Sequence, residues 1–413
     1  VKRGEAIARA LGEELPAAAL ERDADHPTIP PGLEGLPCAA PGAPEEWSAV
    51  VKRCAREGWT VLPVGSGTHL AQEPRPRSVD VVLSTARTTG VTAFEAGDGT
   101  ITARAGTRWE ALEDTVRATH HLAPELPGAA DVTLGGAIAA GTSGLDRLRH
   151  GPLRHQVLGI TAVQGDGTIA RSGGRVVKNV TGYDLHRLWC GSRGTLGVVL
   201  EATLRLYPRP AQEVVLERTV PDRAAALALA GPLLAAALQP IAFVLEGPLE
   251  GGPWSLALVL AGREELVASE LELASGLLEP DRLHEGEAAL RARAVLRAGE
   301  ARGVLELATR PSRLAGLLET VAAAASRRGL TPTVRVHPGL GAAALVPPEG
   351  LEVAALGALA PDLTDGVARP RHAALQAPFP LQVTPAAGEM MQRLARALDP
   401  AGVFATGRFD DVL

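Results

Sequence analysis

An apolar run, Thr60 to Val64, leads straight into Gly65-Ser66-Gly67-Thr68, and a second glycine-rich stretch runs from Thr133 to Gly144. A buried strand ending in glycines lets backbone N–H groups converge on a phosphate, so this pair constrains the fold more than any other feature. A Rossmann fingerprint would place a third glycine at position 70, but Leu70 stands there. No clear helix pattern follows, and no acid lies about 20 residues on in a strand. The lysine of a Walker A loop is missing too. Taken alone, the first loop is either a phosphate cradle or an ordinary tight turn. The second stretch, Thr133-Leu134-Gly135-Gly136 through Gly141-Thr142-Ser143-Gly144, carries only small side chains over most of its length. Such a run either leaves a groove for a flat ligand or packs a helix tightly through its alanines.

The elements around these stretches alternate. Pro44, Glu45 and Glu46 open a helix, with Trp47, Val50, Val51 and Cys54 on one stripe and Gly58 as its stop. Strands are expected at Val79–Ser84 and Gly99–Ala105. Thr107 and Glu110 have the spacing of a capping box for a helix carrying Trp109, Leu112 and Val116. A hairpin follows, Val157–Gln164 and Thr168–Arg171 about Gly165-Asp166-Gly167, then a helix-like Asp184–Cys190 and a strand Val198–Leu206. Two prolines, Pro208 and Pro210, place a boundary near 210. Beyond it the order strand, helix, strand, strand, helix occurs twice, ending in a helix at Leu351–Leu359. That is the split βαβ texture of a ferredoxin-like antiparallel layer, and its recurrence suggests duplication. An amphipathic helix, Pro385–Leu398, precedes DPAGVFATGRF.

Composition removes several function classes. The net charge of −6 argues against nucleic acid as a partner, because phosphate binding draws on a basic surface. No run approaches the length of a membrane span, and Val1 to Gly12 has no apolar core of a signal peptide, so a cytoplasmic protein is expected. Cys38, Cys54 and Cys190 form no CxxC pair and are too few for an iron–sulfur cluster. They read as reduced core thiols, and no metal site is expected. Lysine, asparagine and tyrosine are scarce, yet Lys178, Asn179 and Tyr183 fall together in GGRVVKNVTGYD. The cluster reads as a recognition loop or as chance in a turn.

Four segments carry a family resemblance: Leu36 to Leu70, Asp131 to Gly144, Leu148 to Leu188 and Gly194 to Leu206. Together they resemble the PCMH-type FAD-binding domain of the vanillyl-alcohol-oxidase family. GGRVVKNVTGYD and DPAGVFATGRF are similar to the FAD-binding subunit of bacterial glycolate oxidases. The resemblance implies an α+β protein with a two-lobed FAD-binding domain over residues 1–210. A ferredoxin-like cap over 211–375 and a C-terminal segment, 376–413, returning to the FAD domain complete it.

Carried over by position, Gly65, Ser66, Gly67 and Thr68 would hold the FAD pyrophosphate, and His69 would add a contact. Thr133, Gly135, Gly136, Ser143 and Gly144 would line the flavin and its ribityl chain. Gly151 would sit near the adenosine, and Val198 and Val199 would present backbone to the ring systems. Relatives that attach FAD covalently use a histidine where Thr68 stands, one residue before His69, so non-covalent FAD is expected. Departures from the family pattern are Val64 for Arg, Gly141 for Asn, His150 for Tyr, His155 for Asp and Ala405-Thr406 for Asn-Pro.

The resemblance also implies oxidation of a small 2-hydroxy acid such as glycolate. Its partners would be a second flavin subunit and a cysteine-rich iron–sulfur subunit, with peripheral attachment to the inner membrane through that complex. The partner surface would include residues 173–190. Catalysis needs a base and a carboxylate clamp. His337 and Arg335 are the candidates, with Arg371 and His372 behind them. The segment Val336 to Gly341 keeps one histidine and two glycines of the metal-binding cap motif of related dehydrogenases, and lacks its Asp, Asn and second His. Two alternatives stand beside this reading: a non-catalytic assembly subunit next to a catalytic paralogue, and a self-sufficient oxidase of another alcohol.

Overall fold

The computed structural model describes residues 2–21, 33, 35–70, 76–126, 128–175, 182–362, 367–370, 385–404 and 407. Lys178, Asn179, Arg371, His372, Ala405 and Thr406 lie outside the described residues. Among those described, three sheets form.

The first lobe contains α1 (Lys2–Glu14), β1 (Leu20–Glu21), β2 (Cys38–Ala39), α2 (Pro44–Glu57), β3 (Val61–Val64) and β4 (Val81–Ser84). Its sheet has the order β1-β2-β4-β3, with β4 parallel to both β2 and β3. The α2 stripe of Trp47, Val50, Val51 and Cys54 is fully buried against this sheet, as its spacing requires.

The second lobe begins with β5 (Val91–Glu95), β6 (Thr100–Arg104), α3 (Trp109–Val116) and β7 (His120–Leu122). It continues with α4 (Leu134–Ala140), α5 (Arg147–His150), β8 (Val157–Val163), β9 (Ile169–Gly173) and β10 (Val198–Pro208). The long strand β10 pairs with β6, β7 and β8, and β8–β9 is the expected hairpin. Two local expectations need correction. Arg108, not Thr107, occupies the N-cap position of α3 and makes no side-chain cap bond, while the Thr107 hydroxyl accepts from the Gly90 N–H at 2.9 Å and is committed across the fold. The helix expected over Asp184–Cys190 is only a 3-10 turn, Leu185–Leu188.

The third sheet is built from β11 (Gln212–Val220), β12 (Ala242–Pro248), β13 (Trp254–Gly262), β14 (Arg282–Glu285), β15 (Leu305–Ala308), β16 (Thr333–His337), β17 (Ala342–Val346) and β18 (Val367–Pro370). Its order is β14-β11-β13-β12-β16-β17-β15-β18. The first four strands give the fourth-first-third-second order of a ferredoxin-like unit, and the last four give the same order reversed. Two such units therefore join edge to edge through the antiparallel β12–β16 pair. The second unit lacks its last α-helix: Val353–Asp362 is 3-10, not the helix expected over Leu351–Leu359.

Side chains alternate across this sheet as the strand period demands. Val214, Leu216, Phe243, Leu245, Leu258 and Leu260 pack against α6 (Arg223–Ala235), α7 (Glu264–Leu278) and α9 (Leu314–Ser326). Val215, Ala242, Val244, Val259 and Ala261 point the other way, toward Leu145 and toward α8 (Gly286–Gly299). Helix α8, not anticipated from the sequence, sits between the sheet and the second lobe.

A last helix, α10 (Pro385–Leu398), leads the chain back. The Asp399 carboxylate caps the N–H groups of Val403 and Phe404, both buried in the first-lobe core, and Val61 donates to the Val403 carbonyl at 2.7 Å. No described helix is long and apolar enough to cross a membrane.

Candidate functional site

A cleft of about 740 Å³, measured to its open mouth, lies where the two lobes of the N-terminal half meet. Its floor is the turn after β3. Its walls are α4 and the loop Ser192–Val199. Gly65, Ser66, Gly67, Thr68, His69, Thr133, Gly135, Gly136, Val198 and Val199 all line it. Ser143, Gly144 and Gly151 are not among the lining residues. Gly144 has a packing reason to be glycine: a Cβ there would stand 2.1 Å from the Glu125 carbonyl oxygen.

The two glycine stretches are brought together by their lack of side chains. A Cβ on Gly65 would lie 2.2 Å from Thr133 Oγ1, and one on Gly135 would lie 2.8 Å from the Ala105 Cβ. Glycine backbone therefore packs directly on a neighbouring side chain at both positions, and an added methyl would collide with it. Thr133 is fixed as the cap of α4, its Oγ1 accepting from the Gly136 N–H at 3.2 Å. The Ser66 hydroxyl donates to the Asp131 carbonyl.

Sequence reading missed Thr85, Ala139, Ala140, Ser192, Arg193, Gly194 and Gly197 in the lining. Arg193 adopts left-handed backbone, φ 59°, and its N–H donates to Ala139 at 2.8 Å, which docks the loop on α4. For Ser192, Arg193, Gly194 and Gly197 the signal was available, since they immediately precede β10.

His337 and Arg335 lie elsewhere, on β16. The Arg335 side chain is buried, and each of its nitrogens is engaged: Nε donates to Glu300 and Nη1 to Glu246, both at 2.6 Å, and Nη2 to the Leu296 carbonyl at 2.7 Å. His337 Nε2 lies 3.1 Å from the other Glu300 oxygen. Although burial opposes ionisation of Glu300, His337 and Arg335 together hold its carboxyl down at about 2. This network spends the groups that a substrate clamp and base would use.

A second polar cluster lies between the domains. The His150 ring lies tilted against Tyr207 at 4.0 Å between ring centroids, and His121 lies 5.5 Å from His150. Burial drives His121 down to about 4 and His150 to about 3, and pushes the fully buried Asp146 up to about 7.

With this geometry in place, the family comparison is specific about the N-terminal half. Residues 37–173 match the family model described as FAD binding domain. This segment is an FAD-binding domain of the PCMH type. The FAD-binding domain spans β2 to β9 and so includes the β3 turn and α4, two of the cleft's three sides.

Similar curated proteins include D-lactate dehydrogenase of Archaeoglobus fulgidus, 34% identical over 49% of this chain and 45% of that protein. D-2-hydroxyglutarate dehydrogenase of Xanthomonas citri is 36% identical over 44% and 39%. Glycolate oxidase subunit GlcD of Bacillus subtilis is 31% identical over 51% and 45%. The matched part spans less than half the length of each. Alkyldihydroxyacetonephosphate synthase superposes over 96% of this chain and 85% of its own, with TM-score 0.71 at 13% identity. That likeness shows a fold shared along nearly the whole chain.

Proposed function

We propose that the chain is an FAD-linked oxidoreductase acting on 2-hydroxy-acid-type substrates, with FAD held non-covalently. The observation that carries the reading is the cleft itself, where two side-chain-poor stretches face each other within the FAD-binding domain. The residues fit a long, narrow cofactor: the first loop, Gly65 to Thr68, turns its backbone toward the cleft for a diphosphate, the glycines of α4 face it without side chains, and Val198 and Val199 offer apolar contact for a ring. FAD would supply the hydride acceptor. The names of the similar dehydrogenases, for D-lactate and D-2-hydroxyglutarate, support a 2-hydroxy acid as donor.

The network around Arg335 favours one version of this function. With Arg335 and His337 committed to Glu300 and Glu246, the cap offers no spare clamp at these positions. This supports a chain that works beside a catalytic flavin subunit and a cysteine-rich iron–sulfur subunit, as in a glycolate-oxidising complex. Exposed Tyr183, within the segment 173–190, suits a contact with such a partner.

Anaerobic addition of D-lactate, D-2-hydroxyglutarate or glycolate to the flavin-loaded chain tests the reading. Bleaching of the visible flavin band by one of them supports a self-sufficient enzyme. Bleaching only after the partner subunits are added supports the complex. No bleaching under either condition contradicts the 2-hydroxy-acid reading.

A further inference from the structure

The cleft has a fixed width only if something ties its two glycine stretches together, since glycine backbone alone is loose. Among the described residues, three contacts cross the gap. Gly65 packs on Thr133, and Ser66 donates to Asp131; both hold the start of the first loop. At its far end His69 Nε2 meets Thr142 Oγ1 at 3.0 Å.

Thr142 is a rigid anchor. Gly141 follows α4 in left-handed backbone, φ 64°, and donates to the Ile138 carbonyl at 3.0 Å, while Thr142 N–H donates to Ala137 at 3.1 Å. These two bonds form a Schellman motif, which fixes the residue after the glycine relative to the helix. A Cβ on Gly141 would also stand 3.1 Å from the Gly191 Cα, so the turn is locked from the third side of the cleft as well. His69 therefore connects a mobile type of backbone to the best-fixed point on the opposite wall. Its Nδ1 lies 3.4 Å from Thr68 Oγ1, too long to compete with the Thr142 contact.

We propose that His69 is a positioning residue for FAD: by bonding to Thr142 it sets the spacing between the first glycine loop and α4, and through that spacing the affinity for the cofactor. The inference rests on the reading of the cleft as the FAD site. It assigns to the His69–Thr142 pair what neither residue does alone. A histidine acting by touching the cofactor would matter whatever residue stood at 142.

The test is a double-mutant cycle on the full chain stripped of flavin, with FAD affinity read from quenching of flavin fluorescence. His69→Ala and Thr142→Val should each weaken FAD binding about tenfold, the worth of one hydrogen bond at about 1.4 kcal/mol. The double variant should be no weaker than either single one, because the pair acts as a unit. His69→Gln, whose amide reaches a similar distance, should recover binding to within about threefold. Thermal midpoints of the flavin-free variants serve as the structural control and should fall by no more than a few degrees, as the loss of one hydrogen bond requires. Additive losses, near 100-fold in the double variant, or an unaffected Thr142→Val, overturn the tether. If the unsubstituted chain takes up no FAD, the reading of the cleft itself fails, a result distinct from either.

Discussion

Arg293 on α8 grips Glu125 of the second lobe through both carboxylate oxygens, with Nε and Nη2 each 2.9 Å away. The same guanidinium bonds Glu213 on β11, so one side chain joins the cap sheet to the FAD-binding half. One turn later Arg297 repeats the reach, to Glu113 at 2.7 Å and to the Leu126 carbonyl at 2.8 Å. Helix α8 thus acts as the strap between domains, with its small residues Ala289 and Ala292 toward the sheet.

Removing the strap's central charge leaves two buried carboxylates without a counter-ion. Arg293→Met should destabilise the fold by about 3–5 kcal/mol, since a broken buried pair costs more than an intact one contributes. Urea unfolding followed by tryptophan fluorescence measures it. A loss under about 1 kcal/mol would mean the carboxylates find water instead.

Stability should also fall on acidification below pH 6.5. His121 and His150 bind protons in the unfolded chain near pH 6.5, but in the fold only near 4 and 3. Each therefore withdraws about 1.4 kcal/mol per pH unit as pH drops from 6.5 toward 4. Asp146 acts oppositely: its carboxyl ionises near 3.9 unfolded and near 7 folded, so its contribution grows as pH falls through that window. The net loss is that of about one group, 1.4 kcal/mol per unit. Asp146→Asn should raise stability at pH 8 and roughly double the acid slope. An unchanged slope, measured by denaturant titration from pH 8 to 4.5, would remove the account of this cluster.

Much of this was visible beforehand, and the exceptions share causes. The α2 stripe was legible because large apolar residues recur at helical spacing between charged ones. Helix α8 was not, because two of its sheet-facing positions, Ala289 and Ala292, are alanines while Leu290 and Val295 point to solvent, which blurs the period. The cleft's glycines stood out in sequence, since close backbone approach leaves a compositional mark. His121, His150 and Asp146 left none: they meet only through the fold. Thr107 misled because its hydroxyl satisfies a long-range donor instead of its own helix.

The cap network predicts a separation of stability from cofactor binding. His337→Ala should cost about 1–2 kcal/mol, the loss of one charged hydrogen bond, while flavin content stays at the unsubstituted level. In the complex proposed above, turnover should change less than about threefold. A loss beyond about 100-fold, roughly 2.7 kcal/mol in the barrier, would restore a catalytic part for this histidine.

Gly65→Ala probes the cleft without adding charge. Its methyl would meet Thr133 Oγ1 at 2.2 Å, inside any tolerated contact, so the loop or the α4 cap must shift. Flavin content after purification should drop at least tenfold, while circular dichroism stays unchanged. Full flavin retention would place the cofactor elsewhere.

The most direct test of the central claim, one FAD held non-covalently between the first glycine loop and α4, is the flavin-to-protein ratio before and after acid precipitation. The account predicts a yellow protein that takes up about one FAD per chain, as a single-site cleft requires, with all flavin released into the supernatant. A chain that stays colourless after incubation with FAD, or flavin that pellets with the protein, would contradict it.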